Sequence, residues 1–363
     1  MGYLNIFANC KLVKGASMSL LCDLQLRKYY QIPNDMAEVL LFLGDHSVEE
    51  TIENFGAENK ATIQSYINFV LKMDMGFLDD NIIRELVPLS LEWDAFSEIT
   101  NVILEIKPGT AYDVAFIQDL LALNLSAVEL RSYEPIPFSE TVELLALFKY
   151  SKVLSIKLIS AWVNEYTEKR IKDLMETDYR LNTVVLHGAP KTKQIKLFRD
   201  SASIVFSESS LHSNLQCGVI QPSYFSTSIE LFSESQLHNT CLNRKLAIDK
   251  DGFIKNCPSM KENYGHFLST SLADILANPS FRKDWFINKD SIEVCKDCEF
   301  RHICTDCRAF TERTHIDQDG RDRSKPLKCG YDPYQNSWED WSQNPLKQHA
   351  VAYYQMEDLI DKG

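Results

Sequence analysis

The sequence predicts an α/β protein made of three consecutive parts. Residues 1–80 combine strand-like and helical segments, residues 81–235 alternate apolar strand-like runs with helical stretches, and residues 236–363 hold seven of the ten cysteines. Strands that alternate with helices of about ten to fifteen residues are typical of βα units and a parallel sheet. We therefore expect a small N-terminal unit, a partial (β/α) barrel and a cysteine-rich C-terminal domain.

The composition is that of an ordinary globular protein. The 363 residues carry a formal net charge of −13, and 45% of them are hydrophobic, which suffices for two or three domains with a substantial core. A surface this acidic argues against nucleic acid as a partner. No apolar run approaches the ~18 residues that span a bilayer, and the N-terminus lacks the pattern of a signal peptide. Ten cysteines in such a chain predict reduced thiols and a cytoplasmic location, with no membrane partner.

The N-terminal unit begins with a predicted hairpin. Residues 20–24 and 28–32 are rich in apolar and aromatic side chains, which favours two paired strands. A helix follows and ends at Gly44, with Asn34 or Asp35 as its expected N-cap.

Two further helices complete this unit. Ser47 and Glu50 have the spacing of a capping box, which predicts a helix that ends near Gly56. The next helix carries one apolar stripe at helical spacing, formed by Ile63, Tyr66, Ile67, Val70 and Leu71. A return segment at Gly76 closes the unit.

The middle part predicts the partial barrel. Its strand-like runs are residues 99–106, 127–131, 153–159, 183–187 and 203–206. The helical stretches between and after them are residues 111–123, 139–148, 165–175 and 193–199. Such alternation predicts a parallel sheet with helices packed on it.

The C-terminal cysteines have a regular order. They run Cys241, ten residues, Gly252, four residues, Cys257, and then Cys295-Lys-Asp-Cys298, five residues, Cys304-Thr-Asp-Cys307, and a distant Cys329. Thiolates two residues apart on a turn point at one centre, as a thiophilic metal ion or an iron–sulfur cluster requires. Pairs of this kind bind zinc in many proteins, so the spacing alone leaves zinc open. Gly252 is expected to have a positive φ in an Asp-Gly turn. The tail from Leu346 to Ile360 predicts an amphipathic helix packed on this domain.

This order resembles the SPASM domain, the C-terminal extension of radical S-adenosylmethionine (SAM) enzymes that modify peptides. The resemblance implies two [4Fe-4S] clusters. One would be held by Cys295, Cys298, Cys304 and Cys329, and the other by Cys241, Cys257 and Cys307. The spacing departs from the family pattern in one place, with two residues rather than three between Cys304 and Cys307.

The second cluster lacks its usual fourth ligand. In the family this ligand is a cysteine a few residues before the first one, but the segment before Cys241 contains none. His238 or Cys217 could fill the position, or it could stay open to a peptide ligand.

The other two parts also resemble parts of peptide-modifying proteins. Residues 1–80 resemble the PqqD-like recognition element, a winged-helix module that binds leader peptides by adding them as an extra strand. The alternative is a winged-helix unit that only packs on its neighbour. In the middle part, Glu134 and Pro135 are what matches the SAM-binding Gly-Gly-Glu-Pro motif of the radical SAM core. The CxxxCxxC motif of that core is absent, because no cysteine lies between Cys22 and Cys217. We therefore expect a degenerate barrel that does not cleave SAM, and SAM is not expected as a cofactor.

Taken together, the chain resembles the SPASM-domain peptide maturase of grasp-with-spasm peptide gene clusters. The resemblance rests on residues 9–15, 32–34, 238–245, 251–260 and 295–308. It implies two partners, a precursor peptide with leader and core, and an ATP-grasp ligase. It implies three parts: a leader-binding module over 1–80, a degenerate radical-SAM-like barrel over 81–235, and a SPASM iron–sulfur domain with a C-terminal helix over 236–363.

Three functions remain open at this point. The chain is an accessory maturase that binds the leader and positions the core peptide, or an enzyme whose second cluster acts on a peptide thiolate or carboxylate. The third is a non-catalytic scaffold that presents the peptide and holds structural zinc. Whether the chain is itself an enzyme depends on the second cluster, since an open iron makes a cluster reactive. If His238 ligates that iron, the site is closed.

Overall fold

The fold was analysed in a computed structural model that describes residues 2–84, 86–109, 114–197 and 202–360. The strands are β1 (Tyr3–Ile6), β2 (Cys10–Lys14), β3 (Met18–Asp23), β4 (Lys28–Pro33), β5 (Gly76–Asp79), β6 (Asn101–Glu105), β7 (Ala127–Arg131), β8 (Ser155–Ala161), β9 (Leu181–His187), β10 (Lys193–Lys196), β11 (Ser203–Ser207), β12 (Lys245–Ile248), β13 (Ile254–Lys255), β14 (Tyr331–Asp332) and β15 (Ser337–Trp338). The helices are α1 (Asn34–Leu43), α2 (Val48–Phe55), α3 (Lys60–Lys72), α4 (Val114–Ala122), α5 (Phe138–Ala146), α6 (Glu168–Thr177), α7 (Ile229–Glu234), α8 (Leu272–Ala277), α9 (Gln348–Tyr353) and α10 (Glu357–Ile360). None of the described helices is long and apolar enough to cross a membrane.

The N-terminal unit is a three-stranded antiparallel sheet, in the order β2-β3-β4, with α1 to α3 on one face. The predicted hairpin is confirmed, since β3 pairs β4 with Leu21 opposite Tyr30. Side chains alternate along β4. Tyr30 and Ile32 join the helical core, whereas Tyr29 and Gln31 face the cysteine-rich part. Strands β1 and β2 were not predicted from the sequence. Strand β1 pairs with the return strand β5.

Helix capping in this unit agrees with the prediction at one helix and differs at the other. The capping box of α2 is present, with the Glu50 amide donating to the Ser47 hydroxyl and the Ser47 amide donating to the Glu50 carboxylate. At α1 the prediction was wrong, because the N-cap is Pro33 and no side chain caps the helix. The Asn34 side chain accepts from the Ser19 hydroxyl at 2.7 Å and donates to the Ala16 carbonyl at 3.1 Å. It therefore ties the β2–β3 turn to the start of α1.

The middle part forms a large, mostly parallel sheet with the strand order β10-β11-β9-β8-β7-β6-β12-β13. Strands β6 to β9, β11 and β12 run parallel to one another, which confirms the predicted parallel sheet, and the outermost strands β10 and β13 pair antiparallel. Helices α4, α5 and α6 bury apolar side chains in one core with these strands.

One predicted helix in this part is a strand. Residues 193–196 form β10, which pairs antiparallel with β11 at the sheet edge. Its side chains are exposed except for the partly buried Ile195, so the segment has no apolar stripe that a helix could bury. Residues 198 and 199 of that predicted helix lie outside the described residues. So do residues 111–113 of the helix predicted over 111–123, whose described part is α4.

The C-terminal part is joined to the middle sheet. Strand β12 pairs parallel with β6, with Leu246 opposite Val102, so the sheet extends across the predicted boundary at residue 235. The turn between β12 and β13 has the predicted geometry. Gly252 has a φ of 85°, and its amide donates to the Asp249 carbonyl at 2.9 Å.

The predicted C-terminal helix is interrupted. It consists of α9 and α10, and between them Gln355 has a φ of 56°, which ends a right-handed helix. Its packing is as expected, because Ala350, Val351 and Met356 are buried in one cluster with Cys307.

The β2–β3 turn contacts the loops of the cysteine-rich part directly. The Ala16 amide donates to the Asp297 carbonyl at 2.8 Å, and the Arg301 guanidinium donates to the Lys14 carbonyl at 2.6 Å. Gly15 lies so close that a Cβ there would be 2.7 Å from the Glu299 amide nitrogen. The N-terminal sheet and the Cys295–Cys298 loop therefore form one packed region.

We expect Gly15→Ala to destabilise the protein by about 1–3 kcal/mol, because the added methyl overlaps backbone atoms that cannot move independently. Chemical denaturation followed by far-UV circular dichroism measures the change. Gly2→Ala is the matched control, since a Cβ at Gly2 meets no atom within 4 Å. Equal stability of the two variants would show that the close approach at Gly15 contributes nothing.

Candidate metal centre

The structure arranges eight cysteines around two cavities, four at each. Cys295, Cys298, Cys304 and Cys329 line the first cavity, which has a volume of about 30 Å³. Short turns position the first three of these cysteines. The Cys298 amide donates to the Cys295 carbonyl at 3.0 Å, and the Cys304 amide donates to the Phe300 carbonyl at 3.0 Å. Cys329 comes from a separate segment that bridges Ile220.

The first cavity has apolar surroundings. Cys304 and Cys329 belong to a buried cluster that contains Val13, Leu20 and Cys22 from the N-terminal sheet. This sheet therefore packs directly behind two of the cysteines that line the site. A cluster held here would be screened from solvent, and solvent exposure is one of the factors that set a cluster's reduction potential.

The second cavity is larger and more polar. Cys217, Cys241, Cys257 and Cys307 line it, and its volume is about 360 Å³. The middle sheet contributes further lining residues, among them Arg131, Tyr133 and Lys157. Because Arg131 and Tyr133 lie at the carboxyl end of β7, this cavity occupies the edge where parallel α/β sheets commonly bind ligands.

Gly218 allows the loop that carries Cys217 to approach the other cysteines. Its φ is 84°, and a Cβ there would be 2.7 Å from the sulfur of Cys307. The Cys241 turn is fixed by a side chain, since the Asn239 amide oxygen accepts from the Cys241 amide at 3.0 Å. Asn239 in turn donates to the buried Asp306 carboxylate at 2.6 Å.

His238 is not among the residues that line either cavity. Its ring lies between Trp93 and Phe286, with centroid distances of 5.7 and 5.4 Å. Burial and the nearby Arg244 lower the pKa of His238. Of the two candidates for the fourth ligand, Cys217 is the one that the structure brings to Cys241, Cys257 and Cys307.

The SAM-motif candidate Glu134 is exposed, and its backbone carbonyl accepts from the Ser132 hydroxyl at 2.8 Å. The neighbouring strand ends hold a charged network that the sequence analysis did not identify. The Tyr133 hydroxyl donates to the buried Glu105 carboxylate at 2.5 Å, and Glu129 forms ion pairs with Arg131 and Lys157. These residues lie at or near the ends of adjacent parallel strands, and polar side chains at predicted strand ends are the sequence signal for such a network.

Four thiols at each cavity are a donor set that fits an iron–sulfur cluster or another thiophilic metal centre. Among the residues that the structure describes, no three His, Cys, Asp or Glu side chains are placed to hold a single metal ion. In each group of four, the thiols instead surround a cavity. Since each thiolate of a four-iron cluster binds a different iron, a cluster needs ligands spread around a volume rather than converging on one point.

Burial keeps most of these thiols protonated when no metal is bound. Burial raises the pKa of Cys257 to about 12 and that of Cys304 to about 12. It also raises the pKa values of Cys295, Cys298 and Cys307. A metal or cluster that binds thiolates must therefore displace protons at neutral pH.

We expect metal retention to fall as the pH falls, because raised thiol pKa values make protons compete with the metal over the whole range below about 12. The apparent affinity should drop by about tenfold per pH unit for each proton displaced. Competition with a chelator between about pH 8.5 and 6.5, followed by elemental analysis of the iron and zinc that remain bound, measures this dependence. Retention that does not change with pH would contradict the assignment of these thiols as ligands.

One family model and several solved structures are similar to parts of this chain. Residues 240–299 match the family model of SPASM, an iron-sulfur cluster-binding domain. No curated protein matches the chain. The chain is similar to three crystal structures of Streptococcus suis SuiB: bound to S-adenosylmethionine, without a named ligand, and bound to precursor peptide SuiA. Their sequence identities are 12%, 10% and 12%, and their TM-scores are 0.31, 0.32 and 0.31. Each alignment covers 84% of this chain and 96% of SuiB. The matched residues 240–299 include Cys241, Cys257, Cys295 and Cys298, so four of the eight cavity-lining cysteines lie in the part of the chain that is similar to an iron-sulfur cluster-binding domain.

Proposed function

We propose that this chain matures a ribosomally made precursor peptide and holds two [4Fe-4S] clusters for that task. The observation that carries the proposal is the grouping of eight cysteines, four around each of two cavities, in a chain with a SPASM match. The first cluster would be held by Cys295, Cys298, Cys304 and Cys329. The second would be held by Cys217, Cys241, Cys257 and Cys307.

The two clusters would supply redox chemistry. Their surroundings differ, which suits them to different roles. The first lies in an apolar region behind the N-terminal sheet, which suits an electron-storing or structural centre. The second faces a cavity of about 360 Å³, which offers space for a peptide segment. With Cys217 as its fourth ligand the second cluster would be closed. Its role would then be electron transfer or peptide positioning unless a substrate displaces that thiolate.

Reductive cleavage of SAM is not part of the proposed function. That reaction needs an iron with an open position, and the CxxxCxxC motif that supplies it in radical SAM proteins is missing from the sequence. The carboxyl ends of β6 and β7 carry instead the Glu105–Tyr133 hydrogen bond and the Arg131 ion pair with Glu129. SAM-independent maturation, alongside an ATP-grasp ligase as the sequence resemblance implies, is consistent with these residues.

The N-terminal unit would bind the leader peptide. Strand β4 is an edge strand that pairs with β3, so its other edge can accept a further strand. Tyr30 of β4 contacts Phe69 of α3 with a centroid distance of 5.6 Å, which offers an apolar surface beside that edge. The competing interpretation is a unit that only packs on its neighbour. The contacts of Tyr29 with Phe300 and of Gln31 with Glu299 support it, so a binding test must distinguish the two.

Metal analysis tests the cluster assignment. Protein purified without oxygen should contain about eight irons and eight sulfides per chain. Cys217→Ser should lower both counts toward four, because a cluster that loses one thiolate is held weakly. His238→Ala is the matched control and should retain all eight, since His238 lies outside the second cavity.

Two outcomes would contradict this assignment. About two zinc ions per chain without sulfide would show that the sites hold structural zinc and not clusters. The protein would then be a scaffold that presents the peptide. Loss of iron in His238→Ala, with full retention in Cys217→Ser, would identify His238 rather than Cys217 as the fourth ligand.

Hydrogen exchange tests leader binding. When the precursor peptide from the same gene cluster is added, the amides of residues 28–32 should exchange more slowly, because a paired strand protects an edge. Strand β7, which is already paired on both sides, should show no change. Unchanged exchange in β4 at saturating peptide would favour the packing role of the N-terminal unit.

A further inference from the structure

Four lysines lie unusually deep around the two cavities. Lys289, Lys328 and Lys347 are only 4%, 2% and 5% exposed, and Lys245 is partly buried at the start of β12. Lysine is almost never fully buried without a partner, because removing an ammonium group from water costs several kcal/mol. The partners of these four groups therefore need an explanation.

Each ammonium group contacts a proposed cluster ligand. Lys289 donates to the Cys304 carbonyl, and Lys347 donates to the Cys329 carbonyl at 2.6 Å. Lys328 donates to the Cys217 carbonyl at 2.9 Å, and the Lys245 nitrogen lies 3.8 Å from the sulfur of Cys241. Lys289 and Lys347 therefore contact ligands of the first proposed cluster, and Lys245 and Lys328 contact ligands of the second. Lys289 also lines the first cavity.

These contacts by themselves do not balance the positive charge of the buried ammonium groups. Carbonyl oxygens and neutral thiols accept hydrogen bonds but carry no net charge. Within the described ranges, Lys347 forms an ion pair with Glu312 at 2.8 Å, whereas Lys289 and Lys328 form none. The aromatic rings of Phe310 and Trp341, at 5.0 and 5.5 Å from the Lys328 nitrogen, offset only part of its charge.

We propose that the buried lysines are counter-charges of the two clusters, with Lys289 at the first cluster and Lys245 and Lys328 at the second. This inference rests on the proposed function. Four thiolates on an oxidised [4Fe-4S] core give a net charge of about −2, which nearby ammonium groups offset in part. Lys347 contributes less, because Glu312 already balances its charge. The lysines hold each anionic cluster in a buried site, favour its more negative reduced state, and make the metal-free fold less stable.

We expect the loss of each lysine to change the reduction potential of the cluster beside it and not that of the other cluster. Replacing Lys328 or Lys245 with methionine leaves an unbranched side chain that is one heavy atom shorter and removes one positive charge from the second site. The potential of the second cluster should shift to a more negative value, and that of the first cluster should not change. Lys289→Met should have the opposite selectivity. Nearby positive charge stabilises the reduced cluster, which carries one more negative charge.

Redox titration of the anaerobic protein, followed by electron paramagnetic resonance, measures both potentials in each variant. Lys296→Met is the matched control. Lys296 is adjacent to Cys295 in sequence, but its side chain is 43% exposed and paired with Glu293, so its loss should shift neither potential. Lys328→Arg should retain most of the wild-type potential because it keeps the charge.

Stability measurements separate this role from ordinary packing. In metal-free protein, Lys289→Met and Lys328→Met should unfold at higher denaturant concentration than the wild type, because an uncompensated buried charge has been removed. In the loaded protein the same variants should lose this advantage. Lower stability in both states would assign the lysines to backbone hydrogen bonding alone and overturn the inference.

Two further outcomes are decisive. Equal shifts of both potentials in every variant, or no shift with all iron retained, would also overturn the counter-charge role while leaving the proposed clusters intact. A wild-type protein without iron and sulfide would remove the proposed function and this inference together, and metal analysis identifies that case.

Discussion

The packing of the N-terminal sheet against the cysteine-bearing loops is the contact on which the rest of the structure depends. Val13 and Leu20 share an apolar cluster with Cys304 and Cys329, and the β2–β3 turn is hydrogen-bonded to the Cys295–Cys298 loop. The same sheet carries α1 to α3 on its opposite face and leaves β4 at its edge. A peptide that bound to β4 would therefore be connected to the first cavity through one continuous set of contacts.

The middle sheet gives the second cavity its position. Strand β12 extends the sheet beside β6, and Cys241 and Cys257 lie just before β12 and just after β13. Arg131 and Tyr133, at the carboxyl end of β7, complete the lining. The cysteine-rich part is thus built into the sheet, and the proposed second cluster occupies the edge at which such sheets bind ligands.

Charge connects the two cavities to the stability of the fold. The chain buries ammonium groups beside the loops that carry its cysteines, and such groups are stable only when negative charge is near them. Four-thiolate clusters would supply that charge. The negative charge of the proposed clusters would thus balance the few lysines that are buried beside the two sites.

The sequence by itself determined the features that depend on local spacing. The apolar runs of β6 to β9 and β11, the capping box of Ser47 and Glu50, and the positive φ of Gly252 each follow from residues a few positions apart. The cysteine spacing likewise predicted a SPASM-type segment, which the family match over 240–299 supports. Only the tertiary structure places Cys217, and not His238, at the cavity of the proposed second cluster, because that position depends on which loops meet across the fold. Gly218 lets one loop reach Cys307, whereas aromatic packing holds His238 between Trp93 and Phe286. The same holds for β10 and the buried lysines, since edge pairing and burial arise from segments that are distant in the chain.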